Sequence, residues 1–140
     1  MAQFSATLCF TGLLLFLFGL VLGFGVPALA SPRLAVAAHV AGMQSGVALL
    51  AIGLLWPHLH FWNGWSAPTA HALWVSLYVI FVAQAMSAVW AAGRSLPVAG
   101  GGTRGLPWQE SLVHALLVIG SIGTTAAIVA ILLQWIWAGS

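Results

Sequence analysis

The sequence predicts an all-α integral membrane protein: one domain, residues 1–140, built as an antiparallel up-down four-helix bundle. Three observations predict it. Only 3% of the 140 residues are charged and 62% are hydrophobic, with a mean hydropathy of +1.10, whereas soluble domains carry about 25% charged residues. Arg33, Arg94, Arg104 and Glu110 are the entire charged set and cannot clothe a soluble surface. Four apolar windows each reach the roughly 20 residues that a span requires. The arginines fall only in alternate connections between those windows.

The first window, residues 8–30, is uncharged. Its end, Ala28 to Ser31, has the A-x-A form of a signal-peptide cleavage site. However, no Lys or Arg precedes the run, and the run exceeds a typical signal core. It therefore reads as a retained helix turning at Pro27 and Pro32. The second window, residues 34–56, is ended by Pro57. The third, residues 70–92, follows Pro68 and stops before Gly93. The fourth covers residues 111–137.

The short Ser31–Arg33 link makes the first two helices antiparallel neighbours. Because every arginine lies in loop 31–33 or loop 93–109, the positive-inside rule puts those loops in the cytoplasm and both termini outside a bacterial-type inner membrane. The tryptophans read as interface anchors: Trp56, Trp62, Trp65, Trp74, Trp135 and Trp137 at the outer edge, Trp90 and Trp108 at the inner.

Several chemistries are excluded. There is no Lys and the net charge of +2 is scattered, so no nucleic-acid face exists. A single cysteine, Cys9, allows no intrachain disulfide and reads as an apolar filler. The Gly100–Gly105 run lacks the Lys and the strand of a phosphate loop and reads as a re-entrant or capping loop. With so few ionisable groups, no catalytic triad or carboxylate pair can form. An enzyme of this composition needs a cofactor to carry its chemistry.

Polar side chains within a span are costly and mark function or close packing. His39 lies roughly 8 Å into the second helix at 1.5 Å per residue. Gln44, Ser45 and Tyr78 fall near mid-membrane, Gln84 toward the cytoplasmic side, and His114 one turn beyond Glu110. His39, Gly42, Gly46 and Gly53 share one helix face. Two readings stand. The glycines allow close helix packing beside a hydrogen-bonded imidazole, or they clear a smooth surface for a flat macrocycle whose axial ligand is His39. His58, His60 and His71 belong to the outer loop, and the H-x-H of His58 and His60 lacks the further ligands of a zinc site. The arginines serve topology or meet surface carboxylates such as haem propionates.

Two blocks are more specific: Pro32-Arg33-Leu34 with Ala38-His39, and LPVAGGGTRGLPWQESLV at 96–113. From about residue 13 to the C-terminus the chain resembles the hydroxylaminobenzene mutase family, to which styrene oxide isomerases are similar. The resemblance implies a membrane isomerase with four helices per subunit and, in the isomerase branch, a homotrimer binding haem b between subunits. His39 matches the axial histidine. Ferric iron acts there as a Lewis acid on the oxygen of a small aromatic substrate that partitions into lipid. It converts an epoxide to an aldehyde, or an arylhydroxylamine to an aminophenol.

An asparagine six places after the histidine and a third-helix tyrosine bind substrate oxygen in that branch. Here Ser45, beside Gln44, holds the first position, and Tyr78 is the chain's one tyrosine. Ser31 and Ala41 are further departures from the family pattern. The implied site is therefore His39 on iron, Gly42 and Gly46 beneath the macrocycle, Arg33 and Arg104 on its propionates, and Tyr78, Ser45 and Gln44 on the substrate. Two other readings remain: electron transfer through a haem held by both His39 and His114, and a non-catalytic membrane module.

Overall fold

Four helices long and apolar enough to cross a membrane make up most of the structure. They are α1 (Ala2–Gly25), α2 (Pro32–Leu55), α3 (Ser66–Trp90) and, after a single turn α4 (Pro97–Gly100), α5 (Pro107–Ala138). The computed structural model describes residues 2–59, 61 and 64–138, and side chains within 3–59, 61 and 64–136. His60, Trp62 and the Trp137 side chain lie outside that set.

The helices start earlier than apolar windows alone suggest, because polar and proline residues fit first turns. In α1, Thr7 Oγ1 donates to the Gln3 carbonyl at 2.9 Å, and Ser5 Oγ donates to the Gly53 carbonyl at 2.7 Å. Pro32 and Pro107 open α2 and α5, where a missing N–H costs nothing. Pro68 falls within the first turn of α3, where backbone N–H groups have no intrahelical partner anyway. The α3 helix ends at Ala91, which adopts φ +52°, with Ala92 N–H bonded to the Ser87 carbonyl at 2.9 Å.

Glycines decide how the helices meet. A Cβ on Gly46 would stand 2.7 Å from the Gly12 carbonyl oxygen and 2.5 Å from the Phe16 nitrogen. One on Gly19 would stand 2.8 Å from the Met43 nitrogen, and one on Gly53 2.8 Å from Cys9 Sγ. These pairings run in opposite directions along the two chains, so α1 and α2 are antiparallel and touch backbone to backbone. The face cleared by Gly42 and Gly46 is thus filled by α1 and by the Phe81 ring. That corrects the expectation that it underlies a macrocycle: α1 has its own glycines opposite, so the two helices close on each other.

The α3 helix runs antiparallel to α2, with Ser31 N–H donating to the Ala88 carbonyl at 3.1 Å. The α5 helix lies antiparallel along α3, its Gly120 and Gly123 facing Ser76 and Ile80. It packs against neither α1 nor α2. The up-down order holds, but α1, α2 and α3 pack on one another while α5 joins them through α3 alone, so the four helices do not close into one bundle. Gly120 and Gly123 give α5 its close contact with α3, and Ile119, Ile122 and Ile136 remain exposed.

The core is formed by Leu8, Leu15, Leu49, Trp56 and Leu73. Trp65, Trp108 and Trp135 are exposed near helix ends, as interface anchoring requires. Trp56 is not. A tight turn at Trp56–His58 folds the indole inward, where it is fully buried and stacked on Phe61 at 4.5 Å. At the opposite end the 26–31 and 91–106 connections adjoin, with a Cβ on Gly101 lying 2.7 Å from an Arg33 guanidinium nitrogen.

Gly46→Ala should therefore force α1 from α2 and destabilise the fold by about 1–3 kcal/mol, the usual scale of overpacking. Thermal melting in detergent checks this. Gly25→Ala is the control, since nothing lies within 4 Å of its would-be Cβ, and it should melt like the parent.

Candidate active site

His39 sits in the N-terminal part of α2, where α1 offers Gly19 and Gly23 opposite it. Without side chains there, the imidazole lies directly on the α1 backbone. A Cβ on Gly23 would stand 2.7 Å from Nδ1 and 2.8 Å from Cε1. Nδ1 is 2.7 Å from the Gly19 carbonyl oxygen. A carbonyl only accepts, so the neutral ring carries its proton on Nδ1 and leaves the Nε2 lone pair free. Among the described residues Nε2 has no hydrogen-bond partner, yet it is not among the buried unpaired atoms. It therefore reaches the surface.

That surface is an apolar groove of about 500 Å³, lined by Leu20, Phe24, Val26, Pro27 and Val36 beside Gly23 and His39. Phe24 and Val36 are exposed, so the groove opens to the side of the protein. No group of three His, Cys, Asp or Glu side chains comes together among the described residues. His39 stands as a single nitrogen ligand at an apolar surface. Such a donor suits a metal that brings its other ligands with it, as haem does, and a backbone-oriented second nitrogen is the usual support of a metal-binding histidine.

The other expected residues are distributed differently. Tyr78 donates its hydroxyl to the Thr11 carbonyl at 2.7 Å and packs edge-on against Phe18 and Trp74. Thr11 lies eight residues from Gly19, roughly 12 Å along α1. Ser45 and Gln44 are about 120° and 140° around α2 from His39 at 100° per residue. Ser45 is half-buried and Gln44 exposed. Within one chain none of the three joins the His39 groove.

Arg33 is exposed two turns before His39 and lies over Gly101. Arg104 lies elsewhere, in a cavity at the start of α5 with Arg94 and Glu110. His114 is beside Ser95 Oγ at 3.2 Å, in a cavity with Arg94 and Ser111. It stands on α5, which does not touch the α1–α2 pair that holds His39. Within one chain the two histidines therefore do not meet, so a haem held by both would need the second histidine from another copy.

Two groups that matter were not evident from polarity. Gly19 and Gly23 shape the His39 seat, and the signal for them is their own G-x-x-x-G spacing, matched to that of Gly42 and Gly46 on α2. Glu110 organises the 91–106 connection rather than the membrane interface. It is 5% exposed, and its two oxygens accept from Arg94 N–H at 3.0 Å and Gly105 N–H at 2.9 Å.

Comparison with known proteins identifies the family. Residues 4–136 match a family model described as styrene oxide isomerase. Hydroxylaminobenzene mutase HabA of Ectopseudomonas oleovorans is 41% identical over 108 residues, covering 76% of this chain and 80% of that protein. HabB of the same organism is 34% identical over 125 residues, covering 89% of this chain and 75% of its own length. No solved structure matches the chain significantly.

Replacing Glu110 with Gln should leave one backbone N–H facing an amide NH2 and weaken the other bond, a loss of about 2–3 kcal/mol on the scale of charged hydrogen bonds. A lower melting temperature, with faster hydrogen exchange at the Arg94 and Gly105 amides, is the expected result.

Proposed function

The chain belongs to the styrene oxide isomerase family and is an isomerase, and we propose that it is a haem-dependent membrane isomerase of small aromatic substrates. Those substrates are an aryl epoxide rearranged to an aldehyde, or an arylhydroxylamine rearranged to an aminophenol. Both are intramolecular, with every atom and electron of the substrate kept in the product. The observation that carries the reading is His39, with Nδ1 held by the Gly19 carbonyl and Nε2 unpaired at an apolar groove.

The residues present suit haem b. His39 would supply a nitrogen ligand, Gly23 leaves the imidazole room to lie against α1, and Arg33, exposed near the start of α2, would offer a guanidinium to a propionate. When bound, the haem iron supplies the Lewis acidity toward substrate oxygen that no side chain of this composition provides. The chain's own part is orientation and exclusion of water. Leu20, Phe24, Val26, Pro27 and Val36 present an apolar wall, which admits a lipid-soluble substrate and keeps water from a developing cation.

We assign the assembly as a homotrimer, in which a neighbouring copy closes the groove that one chain leaves open. In that assembly Tyr78, Ser45 and Gln44 are the candidates for contact with substrate oxygen. The three arginines put the 31–33 and 93–109 connections in the cytoplasm.

The test is the absorption spectrum of detergent-purified protein, followed by assay with styrene oxide and with hydroxylaminobenzene. The parent should show a haem Soret band and isomerise at least one of them. His39→Ala should lose both, and Gly23→Ala should retain the fold but hold less haem. An active protein without a Soret band, or a His39→Ala variant with unchanged spectrum and turnover, would refute the proposal.

A further inference from the structure

A second polar region lies at the other side of the same membrane face, away from His39. Two adjoining cavities of about 380 and 410 Å³ share Arg94 and Glu110 as walls. Ser95, Ser111 and His114 complete the first, and Arg104, Gly105 and Pro107 the second.

The charge balance there is uneven. Glu110 is the chain's one acidic side chain, against three arginines. Both of its oxygens are taken by backbone N–H groups, and it is nearly buried. Its role as a fixed tie for the connection leaves the Arg94 and Arg104 guanidinium groups without a carboxylate side chain to engage. Both are exposed, and each has several donors and no acceptor. His114, held through Nδ1 against Ser95, adds an imidazole to the same wall.

The surroundings narrow the anion. The cavities lie at the ends of α3 and α5, where a spanning helix meets headgroups. Exposed Leu106, Trp108 and Leu112 flank them, an apolar surface continuing along α5 toward the membrane interior. An oxyanion attached to hydrocarbon satisfies both halves. We propose that this double cavity binds the phosphodiester of an anionic phospholipid, with Arg94 and Arg104 on the phosphate and the α5 flank against an acyl chain. This use is independent of the haem reading, since none of the cavity residues belongs to the His39 groove.

The experiment is native mass spectrometry of delipidated full-length protein, titrated with phosphatidylglycerol, phosphatidylcholine or inorganic phosphate. Phosphatidylglycerol should be retained most strongly. Arg94→Gln/Arg104→Gln should weaken it by more than about tenfold, or about 1.4 kcal/mol, because both guanidinium groups that face the phosphate are lost. Arg33→Gln, one charge removed outside the cavities, should retain it where Arg104→Gln, one charge removed within them, weakens it.

If the double variant does not fold, Arg104→Gln alone, in the exposed connection, carries the test with a smaller loss. Equal lipid retention by parent and variant would overturn the proposal, as would an equal loss in Arg33→Gln, which would signal bulk charge alone. Inorganic phosphate binding as tightly as the lipid would overturn the lipid assignment. Loss of haem rather than lipid in the double variant would make the cavity a propionate site and overturn it too.

Discussion

The approach of α1 to α2 governs the rest of the structure. Gly12, Gly19 and Gly23 on one helix face Gly46, Gly42 and His39 on the other, and the helices meet with backbone atoms in contact. In lipid there is little hydrophobic gain in bringing helices together, so dispersion and short polar contacts at such seams must hold them. A methyl added at Gly12, Gly19, Gly42 or Gly46 would meet the facing backbone and separate the helices, and separation would withdraw the Gly19 carbonyl from His39. The packing seam and the candidate site are thus one construction. The glycines permit contact, contact places a carbonyl, and the carbonyl orients an imidazole.

That orientation is what gives His39 chemical meaning. A buried imidazole free to choose its tautomer would be an ambiguous ligand. Fixed through Nδ1, it offers one lone pair in one direction, beside an apolar groove at the protein's flank. The second polar region is built on the opposite logic. There a buried carboxylate is consumed by the backbone, leaving arginines that face outward. A chain with four charged side chains keeps its arginines at the helix connections and holds His39 inside α2.

Much of this was legible in the sequence. Four long apolar runs, proline at their ends and arginine in alternate connections define the spans and their up-down order. His39 stood out because histidine within a span is costly. Helix partnership was less legible, because periodicity reports that a face is smooth but not what lies on it. Gly42 and Gly46 proved to face α1 since Gly12 and Gly19 are complementary to them, and only the paired spacing on both helices carries that information. Trp56 resembles its neighbours in sequence, but a tight turn after α2 carries it into the core. His114 and His39 share a depth along the membrane normal, and depth says nothing of lateral separation when α5 packs on α3 alone. Membership of the family narrows the chemistry to isomerisation, while Tyr78, Ser45 and Gln44 lie away from the His39 groove within one chain.

The most direct measurement is the protonation of the His39 ring itself. Nitrogen NMR of histidine-labelled, haem-free protein in micelles can report it, with the His39 signals identified by their loss in a His39 variant. At a pH where the ring is neutral, a proton on Nδ1 and a bare Nε2 are the predicted result, since the Gly19 carbonyl can only accept. A proton on Nε2 would mean that the ring does not rest on Gly19, and the account of the site would fail with it.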